Sequence, residues 1–240
     1  MNIIGYDIPT AIESSLDRLW RCGDLVRGEN QNQTEWLLDT SLHLTVLHPL
    51  DTEYCIPKCI MGGLEDLVAY VDEFLNGTDK EFNYTYHGLY SKYFDRCISE
   101  IERCNYTRRA TLPLAGDVSY ESEYPPCLQL MLPRIIKSKD GSERLTLMVV
   151  FRSNDAVKAF PMNLVAIAMF QKKLANYFNV EMGELQYIVN SFHCYQADRS
   201  KLEAYVARFN QTLDMSEIAF TLDEYYEVEN EYKRQKELSL

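Results

Sequence analysis

The spacing of apolar residues in the first 77 positions predicts two helices with a strand between them. Residues 10–22 carry apolar side chains every three to four positions behind Thr10, the predicted N-cap, and residues 64–75 repeat this pattern before Gly77. In residues 37–50 apolar and polar side chains alternate, which is typical of a strand with one buried face.

Short apolar runs dominate the rest of the chain, and helix and strand patterns do not alternate regularly. Residues 161–178 are apolar around most of their circumference, which indicates a helix buried at the centre of the fold. Residues 139–142 predict a hairpin turn. Strands are predicted over residues 110–116, 127–137, 144–153 and 184–195, helices over 93–104 and 200–209, and a solvated helix or frayed tail over 224–240. This order favours an α+β fold with a mixed β-sheet.

The chain is long enough for one sizeable domain. Its 240 residues are 46% apolar and 12% aromatic, and no Gly-, Ser- or Pro-rich linker separates two halves with their own hydrophobic patterns. We therefore expect residues 1–240 to form a single domain around one core.

Charge and cysteine content narrow the classes of function. The 36 acidic and 24 basic residues give a net charge of −12, which disfavours nucleic-acid binding but allows a local arginine pocket for a small phosphorylated ligand. The seven cysteines lack zinc-ligand spacing, so we expect reduced thiols and no metal site. Because there is neither a basic leader with an apolar run nor about 18 consecutive apolar residues, we expect a cytoplasmic protein without membrane association.

The stretch YPPCLQLML places Cys127 directly behind two prolines, where a strand is predicted to begin. A cysteine there is more often a packing residue than a nucleophile. A chemical role gains support from Arg152, which ends the apolar strand predicted to pair with the Cys127 strand. Its guanidinium could bind phosphate and hold the thiol as a thiolate, or it could pair with a surface carboxylate.

Two further residues admit a structural and a functional interpretation. Asn163 follows Pro161 at the start of the apolar helix and could be its N-cap, or its amide could pair with a ring that offers one donor and one acceptor. His193 could be a buried core histidine or a ligand-binding group.

Five ordered motifs carry a resemblance to a known family. The chain contains PPC at 125–127, RSND at 152–155, Asn163, VEMGELQY at 180–187 and SFHCY at 191–195. In order and spacing these motifs resemble the thymidylate synthase family, most closely the archaeal type, in which Leu-Gln follows the cysteine and a Ser-x-His-x-Tyr motif comes later. The resemblance covers about residues 81–199.

The resemblance implies a role for each matching residue. Cys127 would attack C6 of a uracil nucleotide, and Arg152 with Ser153 would bind its phosphate. Asn163 would bind the uracil edge, His193 and Tyr195 the sugar hydroxyl, and Asp155 the pterin ring. Gln129 and Asn154 complete the substrate-binding set. Asp155 is also counted among the catalytic residues.

The resemblance also implies a dimer. Arg108 and Arg109 resemble the paired arginines that reach the phosphate from the other subunit, so the site would be shared within a homodimer whose sheets pack back to back. Arg27 is the candidate for the N-terminal phosphate arginine. The C-terminal KELSL has no recognisable counterpart in the family.

The general base stays open among four residues. Glu65 and Glu73 flank the place where the family carries its proton-transferring glutamate, and Tyr86 and His87 lie in TYHG, where the family often has a tyrosine before glycine. All four are candidates.

The resemblance predicts a methyltransferase that converts dUMP, or a close uridylate, to its 5-methyl product. The co-substrate would be 5,10-methylenetetrahydrofolate or methylene-tetrahydromethanopterin. One alternative is a pyrimidine nucleotide 5-hydroxymethylase, which delivers water in place of hydride. A second alternative is a nucleotide-binding dimer without catalytic activity.

Overall fold

A computed structural model describes residues 2–28, 36–77, 84–116, 125–211 and 214–238. The strands are β1 (Asn2–Gly5), β2 (Asp24–Arg27), β3 (Trp36–Val46), β4 (Tyr54–Pro57), β5 (Leu112–Pro113), β6 (Leu128–Lys137), β7 (Glu143–Asp155), β8 (Glu181–Tyr195) and β9 (Ala219–Thr221). The helices are α1 (Ile8–Cys22), α2 (Leu64–Asn76), α3 (Tyr86–Arg103), α4 (Phe160–Tyr177), α5 (Arg199–Phe209), α6 (Met215–Ile218) and α7 (Leu222–Leu238).

Seven of the strands form one sheet, and β4 pairs with β9 separately. The sheet order is β1-β3-β8-β7-β6-β5, with β2 paired to β3. The β1–β3 and β7–β8 pairs are parallel and the others are antiparallel. The prediction of an α+β fold with a mixed sheet is therefore confirmed.

Helix α4 is the buried central helix that its apolar circumference predicts. Seven consecutive residues, Leu164–Phe170, are buried, and the helix packs against β7, β8 and α2. The buried Gln171 side chain donates to the carbonyl groups of Leu145, Gly183 and Glu184. These bonds satisfy the amide nitrogen of Gln171 and fix the helix against the two parallel strands, while the buried Oε1 has no hydrogen-bond partner among the described residues.

The hairpin of β6 and β7 brings Cys127 close to Arg152. Gly141 adopts a φ of 94° in the turn, and the Ser138 backbone N–H donates to the Ser142 carbonyl at 2.9 Å. At the other end, the Arg152 backbone N–H donates to the Cys127 carbonyl at 2.9 Å. The predicted hairpin is thus confirmed, and its register sets the cysteine beside the strand that carries the arginine.

Two local features differ from the sequence-based prediction, and a third decides between two predicted alternatives. The N-cap of α1 is Asp7 rather than Thr10, because the Asp7 carboxylate accepts from the Thr10 N–H in a capping box. Helix α3 begins at Tyr86, seven residues before the predicted start, with Thr85 as its N-cap. For the C-terminal segment the helix is confirmed as α7 and the frayed tail is not, since Tyr225 is buried and Lys236 pairs with Asp72 at 2.8 Å.

One face of the sheet carries partly exposed apolar side chains. These residues, Leu130, Leu132, Met148, Val150 and Ile188, alternate along β6, β7 and β8 with buried neighbours. Val150 lies opposite Leu130 on one side and Ile188 on the other. We call these five residues the outer sheet face.

No helix among the described ranges is both long and apolar enough to cross a membrane.

Candidate active site

A cavity of about 590 Å³ opens where one end of the sheet meets the first turn of α4. Its volume lies within the usual range for small-molecule sites. It is lined by the residues Val26, Arg27, Gly28, Leu37, Asp39, Tyr86, Cys127, Arg152, Ser153, Asn154, Asp155, Ala159, Asn163, Ser191, His193 and Tyr195. We call this space the central cavity.

Side-chain hydrogen bonds to the carbonyl groups of Pro125 and Pro126 fix the chain that enters β6. Arg152 donates from Nη2 to the Pro125 carbonyl at 2.6 Å and from Nε to the Pro126 carbonyl at 3.1 Å. Gln129 donates from Nε2 to the same Pro126 carbonyl at 2.6 Å. These bonds and the fixed φ of proline hold Cys127 in one position at the wall of the central cavity.

The Cys127 thiol keeps its proton at neutral pH. Burial raises its pKa above the usual range, and the positive charge of Arg152 lowers it by less. The expectation that Arg152 holds Cys127 as a thiolate is therefore wrong, because desolvation outweighs the nearby charge. The thiol has to lose its proton during a reaction.

Asn163 is not the N-cap of α4. The helix begins after Ala159, whose carbonyl accepts from the Asn163 backbone N–H at 2.8 Å, so Asn163 lies within the first turn. Its side chain is buried, with the Tyr70 hydroxyl donating to its Oδ1 and its Nδ2 donating to Asn154 Oδ1 at 3.4 Å. Asn154 in turn donates to the Tyr187 hydroxyl.

Four tyrosines surround the Cys127 side of the cavity. Burial is the main cause that raises the pKa of Tyr70, Tyr84, Tyr86 and Tyr187, so all four phenols are neutral at physiological pH. Neutral phenols can donate or accept hydrogen bonds, but they are weak bases. Of the four, only Tyr86 was a candidate from the sequence. Tyr70 lies on the same α2 face as the buried Leu67 and Phe74, which is the signal that could have directed attention to it.

Hydroxyl, imidazole and carboxylate groups meet where β3, β7 and β8 run side by side. His193 lies opposite Asp39 on one side and Asp155 on the other. Its Nδ1 is 3.4 Å from the hydroxyl oxygens of both Ser153 and Ser191, and Ser191 also donates to Asp39. His193 is buried, but it borders the central cavity and so can contact a ligand there.

Asp155 ends β7 and stabilises the turn into α4. Its Oδ1 accepts from the backbone N–H groups of Val157 at 2.9 Å and Lys158 at 3.0 Å. The Lys158 ammonium lies 5.6 Å from the centre of the Tyr195 ring and pairs with Asp198 at 2.6 Å. The carboxylate and the tyrosine are thereby held at the rim of the cavity.

The structure brings most of the predicted residues to the central cavity. Those present are Arg27, Tyr86, Cys127, Arg152, Ser153, Asn154, Asp155, Asn163, His193 and Tyr195. Arg27 is exposed, and its guanidinium lies 5.6 Å from the Trp36 ring centre.

Six predicted residues lie outside the lining. Gln129 holds the Pro126 carbonyl, and His87 packs against Tyr90 with ring centres 5.3 Å apart. Arg108 and Arg109 are exposed in the segment after α3. Glu65 lines a different groove, between α2 and α7. Glu73 lies near Tyr70, and its negative charge is the second cause, after burial, of the raised pKa of Tyr70.

The seven cysteines are free thiols. Within the described part of the chain, no three His, Cys, Asp or Glu side chains come together as a metal site. The central cavity instead combines a thiol, guanidinium groups and amides that can pair with a polar ring, which suits covalent chemistry on a small anionic ligand.

A family model described as "Thymidylate synthase" matches residues 80–233. The chain belongs to the thymidylate synthase family.

Relatives and a solved structure agree with this assignment. A protein of Methanothermobacter marburgensis named "Putative thymidylate synthase" is 29% identical over 149 residues, which is 60% of this chain and 65% of that protein, slightly under two thirds of its length. A protein of the same name from Methanosarcina acetivorans is 25% identical over 212 residues, 85% of this chain and 94% of that one. A thermostable thymidylate synthase A from Bacillus subtilis has the same fold, with a TM-score of 0.65 at 15% identity over 84% of each chain.

Proposed function

We propose that the protein transfers a one-carbon unit to C5 of a uridylate such as dUMP, through a covalent bond between Cys127 and C6 of the uracil ring. The observation that carries this proposal is the convergence of Cys127, Arg152, Asn163 and His193 on one cavity from four separate parts of the chain. The whole chain would act as one catalytic domain, which is supported by the ion pair between α7 and α2.

The cavity offers a partner for each part of the nucleotide. Arg152 uses two of its five N–H groups on the proline carbonyls and has others for the phosphate, with Ser153 beside it and Arg27 across the opening. His193 and Tyr195 would bind the sugar hydroxyl. Asn163 would accept from uracil N3–H and donate to O4.

The chemistry begins with addition of sulfur to the ring. The Cys127 thiol releases its proton to solvent as the Sγ–C6 bond forms, and the electrons of the C5–C6 double bond move towards O4. The Asn163 amide donates to O4 as negative charge develops there. C5 then acts as a nucleophile. C5 would take the methylene carbon of the co-substrate as one carbon–nitrogen bond of the pterin breaks. Loss of the C5 proton to solvent would let the second carbon–nitrogen bond break. Hydride from the pterin, or water for the hydroxymethyl product, would then add to the methylene carbon while the Sγ–C6 bond breaks, the C5–C6 double bond returns and the thiolate regains a proton from solvent.

A reduced pterin fits as the co-substrate. The Asp155 carboxylate is fixed by two backbone N–H groups at the rim of the cavity, and a carboxylate oxygen can accept from the N–H groups of an aminopyrimidinone ring. The methylene-pterin supplies the one-carbon unit and, for the methyl product, the hydride. A reducing cytoplasm suits a protein whose seven cysteines are free thiols.

Product mass tests this proposal. The protein is incubated with dUMP, UMP or dCMP and either methylene-tetrahydrofolate or methylene-tetrahydromethanopterin. The expected result is a methyl gain on dUMP. A hydroxymethyl gain would instead identify a hydroxymethylase. Absence of product, together with no covalent adduct between the protein and 5-fluoro-dUMP in the presence of co-substrate, would favour the alternative of a nucleotide-binding dimer without catalytic activity.

We further propose that two copies pack through the outer sheet face. Leu130, Val150 and Ile188 lie side by side across three strands and are only partly covered by their own chain. A second copy would bury them and would bring Arg108 and Arg109 of the partner subunit to the phosphate. These two residues are exposed and lie outside their own chain's cavity, as such a role requires.

Replacing Val150 by aspartate should convert the dimer to monomers. The substitution places an unpaired carboxylate between Leu130 and Ile188, and burial of such a charge costs several kcal/mol. Size-exclusion chromatography with light scattering gives the mass directly. Lys139→Asp, in the exposed turn of the same hairpin, is the control and should stay dimeric. A Val150→Asp variant that remains a dimer would place the interface elsewhere.

A further inference from the structure

We propose that Tyr70 determines which pyrimidine the central cavity accepts, because it fixes the orientation of the Asn163 amide. This inference rests on the proposed function and names a residue that sets its substrate specificity. Tyr70 acts through Asn163 and is therefore a positioning residue.

The observation behind the proposal is a chain of hydrogen bonds that runs through four side chains on four elements. It begins at the Tyr70 hydroxyl on α2, which donates to Asn163 Oδ1 on α4. Asn163 Nδ2 donates to Asn154 Oδ1 on β7, and Asn154 Nδ2 donates to the Tyr187 hydroxyl on β8. Each amide thus has one bonded oxygen and one bonded nitrogen, so neither can turn alone without losing partners.

Tyr70 always has a proton to donate. Its pKa is raised by burial first and then by the charge of Glu73, so the phenol stays neutral at any physiological pH. Tyr70 lies between Glu65 and Glu73 on α2, the two glutamates that flank the position expected for a proton-transferring carboxylate. Tyr70, a phenol that contacts Asn163, therefore lies where the resemblance to the family implies a carboxylate.

The orientation of Asn163 decides which ring edge it matches. With one lone pair of Oδ1 taken by Tyr70 and one hydrogen of Nδ2 taken by Asn154, the amide still offers one acceptor and one donor. This pair matches uracil, where N3–H donates and O4 accepts.

Cytosine presents the opposite edge, since its N3 accepts and its 4-amino group donates. To match it, Asn163 has to reverse its amide, which takes Oδ1 away from the Tyr70 donor and turns it towards Asn154 Oδ1. Two acceptor oxygens facing each other repel, and a buried amide group without a partner is destabilising. After the reversal the Tyr70 hydroxyl could accept from Asn163 Nδ2, but its own proton would have lost the Oδ1 acceptor. The Tyr70 and Asn154 contacts together therefore favour uracil nucleotides over cytosine nucleotides.

The test is the ratio of the dissociation constants of dCMP and dUMP, measured by calorimetry without co-substrate. The wild-type protein should prefer dUMP, and Tyr70→Phe should lower the ratio by about tenfold, which corresponds to the loss of one hydrogen bond at a buried amide. Tyr90→Phe is the matched control, because the buried Tyr90 hydroxyl donates to the Phe74 carbonyl at 2.8 Å and does not contact Asn163. The ratio for Tyr90→Phe should equal that of the wild type. Thermal unfolding of both variants is the check that each of them folds.

A second variant separates orientation from packing. In Tyr70→Phe/Asn154→Asp, the carboxylate at 154 can only accept, so it again holds Asn163 Nδ2 in the original orientation, and Tyr187 can donate to its other oxygen. The preference for dUMP should return. An unchanged ratio in Tyr70→Phe, or no recovery in the double variant, would overturn the role of Tyr70 while leaving the proposed function intact. A wild-type protein that binds neither nucleotide would overturn both.

Discussion

Replacing Cys127 by alanine is expected to lower turnover of dUMP by a factor on the order of 10⁶, as deletion of an enzyme nucleophile does elsewhere. Without the sulfur no bond to C6 forms, and C5 stays unreactive. Nucleotide binding should survive, because the groups proposed to hold phosphate, sugar and ring belong to other residues. The measurements are the rate of product formation and the dissociation constant of dUMP.

Cys104→Ala controls for the change of residue type, since Cys104 is exposed and is the C-cap of α3, outside the cavity lining. It should keep wild-type turnover. If Cys127→Ala also kept its turnover, the covalent mechanism would be ruled out. The 5-fluoro-dUMP adduct should be absent in Cys127→Ala and present in Cys104→Ala, which locates the bond at Cys127.

The second large effect is expected for Asn163→Asp, which should exchange the preferred base. A carboxylate accepts on both oxygens, so it repels uracil O4. It can accept from the 4-amino group of cytosine, and a proton shared between its other oxygen and the basic N3 of cytosine completes the pair. Binding of dUMP should weaken by roughly 10²-fold, the cost of an unpaired buried acceptor beside a charge, and dCMP should bind better than dUMP. Calorimetric titration with both nucleotides measures this exchange.

Asn105→Asp, in the exposed turn after α3, is the control for an added charge and should leave both affinities unchanged. An Asn163→Asp variant that still prefers dUMP would show that another residue contacts the base edge.

Much of the fold follows from local pattern. The turn at residues 139–142 and the apolar runs on either side predict the β6–β7 hairpin, and the apolar circumference of residues 161–178 predicts the central helix. The short edge strands β1 and β2 were not predicted, because four residues give too little periodicity and their stability comes from pairing with β3.

Some features of the candidate site also follow from local pattern, whereas others depend on tertiary packing. Arg152, Ser153 and Asp155 end a strand that the sequence predicts, so their placement at one end of the sheet follows from the strand itself. The contact of Tyr70 with Asn163 joins residues 93 positions apart and depends on how α2 packs against α4. Neither the periodicity nor the motifs predict how these two helices pack. The net effect of burial on the Cys127 pKa also depends on tertiary packing, so it could not be predicted from the sequence.

The bonds from Arg152 to the carbonyl groups of Pro125 and Pro126 have a consequence for the energetics of binding. An arginine that is free in solution loses about 2 kcal/mol of rotamer entropy when it is immobilised. Here the fold has already restricted that motion, so a phosphate bound as proposed would meet a preorganised guanidinium, and less of its binding energy would be lost to ordering. The same bonds fix the segment before Cys127, so one restricted side chain would set the distance between the proposed anion site and the proposed nucleophile. A ligand of the wrong length could not be accommodated by movement of either group.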